Sequence, residues 1–185
     1  MRGMNHMCYY GKNAYQCPYF ANIPMYPAYY LNQHPVQYLP YAEEAKAYPP
    51  INLRDYGKEP FVVNIEEATK QNNTFRIALW TGNHLQLTLM SINVGDDIGL
   101  EIHPNTDQFI RIEEGQGLIQ MGDRKERLDF QAYVRDDFAF IIPAGKWHNL
   151  INTGNIPLKL YSIYAPPQHP YGTVHVTKAD ALAAE

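Results

Sequence analysis

The stretch Gly95-Asp96-Asp97-Ile98-Gly99-Leu100-Glu101-Ile102-His103-Pro104-Asn105-Thr106-Asp107-Gln108, closed by Gly115, decides how this chain folds. A later stretch answers it: Asp137, then Pro143-Ala144-Gly145-Lys146-Trp147-His148, then Asn152. Glu101 and His103 stand two residues apart, so on a strand they share one face. Leu100 and Ile102 are expected on the other face, in apolar packing. The turn His103-Pro104-Asn105-Thr106 returns the chain, and Gln108 comes back on the next strand. Ile110 and Ile112 share Gln108's face. Arg111 shares Asp107's face, outside, where an ion pair is expected. His148 arrives from a distant strand, after the turn at Pro143-Ala144-Gly145. A sheet that closes on itself can bring Glu101, His103, Gln108 and His148 to one point.

Outward from these stretches the pattern is one of strands. Phe75–Trp80 alternates, and so does Leu85–Ile92, with Leu85, Leu87 and Leu89 on one face. Ile98–His103, Phe109–Glu113, Leu118–Met121, Ala139–Ile142, His148–Asn152 and Leu158–Tyr164 follow, with turns at Gly82, Gly95, Gly115, Gly122, Gly145 and Gly154. Many short strands at near-regular spacing predict an all-β sandwich or barrel. Asn64 followed by Glu67 predicts a capped helix running to about Gln71. Thr177 reads as the N-cap of a last helical turn or two.

The two stretches resemble, in spacing and order, the two motifs of the cupin family, and the resemblance covers roughly residues 75 to 165. It implies a double-stranded β-helix, the cupin or jelly-roll barrel, with short flanking helices. It also implies one divalent metal ion on Glu101, His103, Gln108 and His148. The first motif of the family usually reads His-x-His followed by Glu. Here Glu101 takes the first histidine's place and Gln108 the glutamate's, while Asp137 stands where the second motif opens with glycine. The donors remain nitrogen and oxygen, and the ligand charge is unchanged. Asp107 is a rival to Gln108, because the family tolerates a gap one residue shorter. Such a donor set suits Zn, Fe, Mn, Ni or Co. It is similar to the zinc site of phosphomannose isomerases, so the resemblance implies sugar isomerisation or epimerisation first. Metal-dependent dioxygenase or decarboxylase chemistry is the neighbouring reading. The expected ligand is a small polar molecule, sugar-like or carbonyl-bearing, and cupins commonly form homodimers.

Other residues stand in view of this site. Arg76, Trp80, Gln86 and Tyr161 lie on predicted strands. Lys146 and Trp147 precede His148; a solvated lysine and a packed tryptophan are the plainer reading, substrate contacts the other. Asn152 reads as structural. The loop Pro166–Gly172 is expected to cover a barrel opening or a neighbour, and His169 in it reads as a loop histidine rather than a second ligand. There is no nucleophile elbow, phosphate-cradling glycine loop or dinucleotide fingerprint. No second histidine or carboxylate offers itself as an independent general base.

The chain has 185 residues, 45% of them hydrophobic, and a net charge of −4, enough for one core and without the basic stripe that nucleic acid requires. No apolar run approaches the roughly 20 residues of a membrane span, and no secretory pattern opens the chain, so a cytoplasmic location is expected. Four parts are expected: a Tyr/Pro/Asn-rich tail over 1–48, a linker with the short helix over 49–73, the barrel over 74–165 and an extension over 166–185. Residues 1 to 42 hold ten tyrosines and phenylalanines but only two charged residues, Arg2 and Lys12. Pro18, Pro24, Pro27, Pro35 and Pro40 oppose long helices and central strands, so the segment reads as non-globular. Its composition resembles that of tyrosine-rich spore-coat proteins, which implies coat contacts through residues 1–42 and a non-catalytic, coat-associated alternative. A short helix over 42–47 is expected before Pro49. Cys8 and Cys17 both lie in this tail; free thiols, a bridge between them and intermolecular cross-links all fit the spacing.

Overall fold

The computed structural model describes residues 7–10, 13–16 and 49–184. Two strands, β1 (Met7–Tyr10) and β2 (Asn13–Gln16), pair antiparallel in a hairpin that the proline-rich composition of the tail did not suggest. The expected helix over 42–47, Cys17 and most of the tyrosine-rich segment lie outside the described residues.

The second unit begins with helix α1 (Ile65–Gln71). Asn64 caps it, its side chain accepting the Glu67 amide at 3.2 Å. Strands β3 (Arg76–Thr81), β4 (Gln86–Ile92), β5 (Glu101–Ile102), β6 (Asp107–Glu114), β7 (Gln116–Gly122) and β8 (Phe130–Arg135) follow. Then come β9 (Ala139–Ile142), β10 (Trp147–Asn152), β11 (Leu158–Ala165), β12 (Val174–His175) and helix α2 (Lys178–Ala183). Thr177 and Asp180 form a complete capping box on α2, and Lys178 ties the helix to Asp96 and Asp97 at 2.8 and 2.7 Å.

All pairings are antiparallel. One sheet runs β12-β3-β4-β11-β6-β9 and the other β5-β10-β7-β8, which together make the double-stranded β-helix. The space between them is filled by Met90, Ile92, Ile112, Ile119, Leu150, Leu158 and Leu160, all essentially without solvent exposure. A second apolar layer lies on the other face of the six-stranded sheet, where Ile77, Leu79 and Leu89 pack against Ala68 of α1 and the arm from Ile51 to Ile65. Strands β3 and β4 are thus buried on both faces.

The two faces of β4 meet different layers. The Leu87–Leu89 face of β4 belongs to the outer layer under α1 and the arm, and Leu85 is exposed. Gln86, Thr88 and Met90 instead share the other, inward face. Leu100, expected in apolar packing, is instead a surface residue, just before the two-residue edge strand β5. Strands β8 and β12 were missed altogether. Both lie at sheet edges, where exposed residues blur the alternation. Asp137 has φ 68°, the left-handed conformation for which the family's motif uses glycine, and Asp is among the few side chains that tolerate it. Gly115 (φ 91°) has a further constraint, since a Cβ there would meet the Pro157 carbonyl oxygen at 3.0 Å. Among the described residues, no helix is long and apolar enough to cross a membrane.

Candidate metal centre

The β10–β5 pairing sets His148 directly opposite Glu101, and His103 follows two residues later on Glu101's side. The result is a group of one carboxylate and two imidazoles whose ligand atoms lie within 4.8 Å of one another. Glu101 Oε1 is 3.4 Å from His103 Nε2 and 3.3 Å from His148 Nε2. Those separations are long for hydrogen bonds, and Glu101 Oε1 and both Nε2 atoms are buried without a hydrogen-bond partner. They match the edge of a coordination tetrahedron, about 3.4 Å when each donor stands about 2.1 Å from a central ion. His148 Nδ1 donates to the Lys146 carbonyl at 2.9 Å, which fixes the tautomer and leaves the Nε2 lone pair facing Glu101.

Gln108 comes from β6, opposite Tyr164 of β11. Its amide nitrogen donates to Ser162 Oγ at 2.9 Å, and its Oε1 is buried with no partner. Asp107 is turned to the opposite face: it is exposed and its carboxylate accepts the Ala144 amide at 2.8 Å. Of the two rivals, only Gln108 lies inside, with a free carbonyl oxygen. Its Oε1, Glu101 Oε1 and both Nε2 atoms are hard or borderline donors, each buried and without a partner. Unpartnered buried polar atoms of this kind cost about 1–3 kcal/mol each, so the residues present fit a divalent cation.

Charge around the group is unusual. Burial alone would push the Glu101 carboxyl up. The His103 and His148 imidazoles and the Arg76 charge outweigh it and hold the carboxyl well below the usual carboxylate range. Arg76, on β3, is itself fully buried, with a terminal nitrogen 3.9 Å from Glu101 Oε2 and an Nε that has no partner. Tyr164 is wholly buried; its ring meets His103 edge-on at 5.5 Å, and burial pushes its phenol up. Its hydroxyl lies near Ser162 and Thr88 without a well-formed hydrogen bond to either. Sequence reasoning gave Arg76 and Tyr164 no role at the site. Their signal was an Arg and a Tyr at inward positions of largely buried strands.

The remaining residues of interest are structural. Asn152 donates to the carbonyls of Ile92 and Ile156 at 2.9 Å each. Lys146 pairs with Asp123, and Lys125 stands 5.6 Å over the half-buried Trp147 ring. Arg111 pairs outside with Asp137 at 2.7 Å and Glu113 at 3.1 Å. Gln86 clamps the loop after β11, its amide meeting both the carbonyl and the amide of His169 at 2.9 Å. The His169 ring lies against Tyr164, not among the donors, and burial pushes its pKa down to about 3.

Two antiparallel sheets closing over a buried Glu–His–His group define a cupin, and the family model for a cupin domain, Cupin_2, matches residues 88–164. The chain belongs to that family, together with the Bacillus subtilis (strain 168) protein YrkC, to which it is 57% identical over 184 residues, 96% of this chain and 99% of that one. A protein of Acanthamoeba polyphaga mimivirus is 42% identical over 119 residues, 64% of this chain and 72% of its own. The crystal structure of BH2720 from Bacillus halodurans superposes with a TM-score of 0.70 at 69% identity, covering 71% of this chain and 99% of that one.

Proposed function

We propose that this cupin is a metal-dependent enzyme acting on a small polar, carbonyl- or carboxylate-bearing molecule, with Glu101, His103, His148 and Gln108 as the ligands. The observation that carries the reading is the set of four inward donor atoms, all buried and all without a protein partner. A divalent ion held there would polarise a coordinated oxygen of the substrate. His148 is oriented by the Lys146 carbonyl, Gln108 by Ser162, and Glu101 stays ionised.

Sugar-isomerase-like chemistry follows from the donor set and is the first arm to test. One observation favours the second arm, dioxygenase or decarboxylase chemistry. An isomerase must move a proton between neighbouring carbons. Among the described residues, the titratable groups flanking the donors are a cation, Arg76, and a phenol that burial keeps protonated, Tyr164, with His169 behind Tyr164 and its pKa pushed down to about 3 by burial. None of the three readily takes up a proton at neutral pH.

Elemental analysis of the purified chain and of His148→Ala tests the site. The wild type is expected to carry one equivalent of a divalent metal, and His148→Ala to lose it while keeping its β-sheet circular dichroism. Full metal occupancy in His148→Ala would sink the assignment. Turnover of phosphorylated sugars under strict anaerobiosis supports isomerisation; oxygen uptake or CO2 release with a small carboxylate supports the second arm. An assembly role for residues 1–42 is a separate proposal, tested by whether their deletion removes location or association and leaves a metal-loaded barrel.

A further inference from the structure

Arg76 is hard to explain as structure alone. Its side chain is 2% exposed, yet its only opposite charge among the described residues is Glu101, at 3.9 Å and shared with two imidazoles. Nε has no partner. A buried guanidinium is normally held by a bidentate carboxylate or several carbonyls, because desolvating it costs several kcal/mol. Two more buried hydroxyls lack partners, those of Thr88, on the strand paired with β3, and of Tyr164. Thr88 faces Ser162 across β4 and β11, and Tyr164 faces Gln108 across β11 and β6, so both sit on the inward face that carries Gln108.

Glu101 offsets the charge of Arg76. A divalent ion on the donor atoms then leaves two positive charges uncompensated in a water-poor interior, with three hydrogen-bond donors grouped on one side. An anion with two oxygens offsets one of these charges and meets the donors, since a carboxylate can accept from the planar guanidinium and from a hydroxyl at once.

We propose that Arg76, Thr88 and Tyr164 form an anion subsite beside the Glu101–His103–His148 group, which takes the carboxylate of a small ligand. The inference rests on the metal-binding reading above and narrows its substrate to carboxylic acids. Arg76 makes the charge contact; Thr88 and Tyr164 are hydroxyl donors to the same group.

The test is calorimetric titration of the full-length, metal-analysed protein with glycolate, its neutral counterpart ethylene glycol, and inorganic phosphate. Wild type is expected to bind glycolate at least tenfold more tightly than either competitor. Arg76→Gln, compared at equal metal occupancy, is expected to lose at least tenfold in glycolate affinity, and Arg76→Lys to recover part of it. Unchanged glycolate affinity in Arg76→Gln at full occupancy overturns the proposal and leaves Arg76 as a counter-ion of Glu101. Phosphate binding as tightly as glycolate overturns the carboxylate assignment. Should Arg76→Gln fail to fold, Thr88→Val and Tyr164→Phe carry the test: each is expected to weaken glycolate about threefold, and wild-type affinity in both overturns the subsite. Titrating EDTA-treated protein separates the two readings. Arg76-dependent glycolate binding without metal keeps the subsite even if the metal assignment fails, and no glycolate binding by metal-loaded protein removes the subsite alone.

Discussion

The same strands build two different interiors. Toward one end, β4, β6, β10 and β11 contribute Met90, Ile92, Ile112, Leu150, Leu158 and Leu160, an apolar layer closed by Ala181 of α2. Toward the other, β4, β6 and β11 contribute Gln86, Thr88, Gln108, Ser162 and Tyr164, which face Arg76, Glu101, His103 and His148. The first half is satisfied by contact alone. The second holds donors and acceptors without partners, a condition that costs free energy in an isolated chain and is relieved only by something that binds. Contact stabilises one half of the barrel, and the other half is where we propose that recognition occurs.

The comparison breaks most visibly in the apolar half. Leu160→Ala is expected to lower unfolding free energy by about 2–5 kcal/mol, through lost burial and the cavity left behind. Urea denaturation should show the same loss with and without added metal; a loss seen only in the metal-loaded protein would contradict the division. The next effect concerns His169, at the polar end. Its folded pKa, about 3, lies below its ordinary 6.5. As pH falls the unfolded chain takes the proton first, so this contribution to stability is full above about 6.5 and drains away toward 3. His169→Gln should therefore flatten the fall of melting temperature between pH 6.5 and 4 relative to wild type.

Gln108→Leu sharpens the contrast. Metal affinity should drop roughly tenfold or more, measured against a chromophoric chelator. The melting temperature in EDTA should hold or rise, because an unpaired buried carbonyl has gone. The smallest expected effect is Thr177→Ala, which removes the cap of α2 and should cost about 1 kcal/mol with metal binding unchanged.

Much of this was legible before any coordinates. The two-residue gap put Glu101 and His103 on one strand face, the resemblance to the cupin motifs added His148, and the helices capped by Asn64 and Thr177 lie where their caps put them. Alternation already set Gln108 on the face of Ile110 and Ile112 and Asp107 on the outer face of Arg111, and the structure turns Gln108 inward and leaves Asp107 exposed. Only the barrel's closure brings Gln108's face to Glu101 and the histidines. Arg76 and Tyr164 were hidden for a similar reason: their partners, Glu101 and His103, lie 25 and 61 residues away in the chain.

What the sequence determined alone is the period: strands of two-residue repeat, their turns and their caps, all set by interactions within a few residues. Which polar side chains share one dry space was decided by tertiary structure. Burial, and with it the low carboxyl of Glu101 and the unpartnered guanidinium nitrogen of Arg76, exists only once two sheets have closed and excluded water.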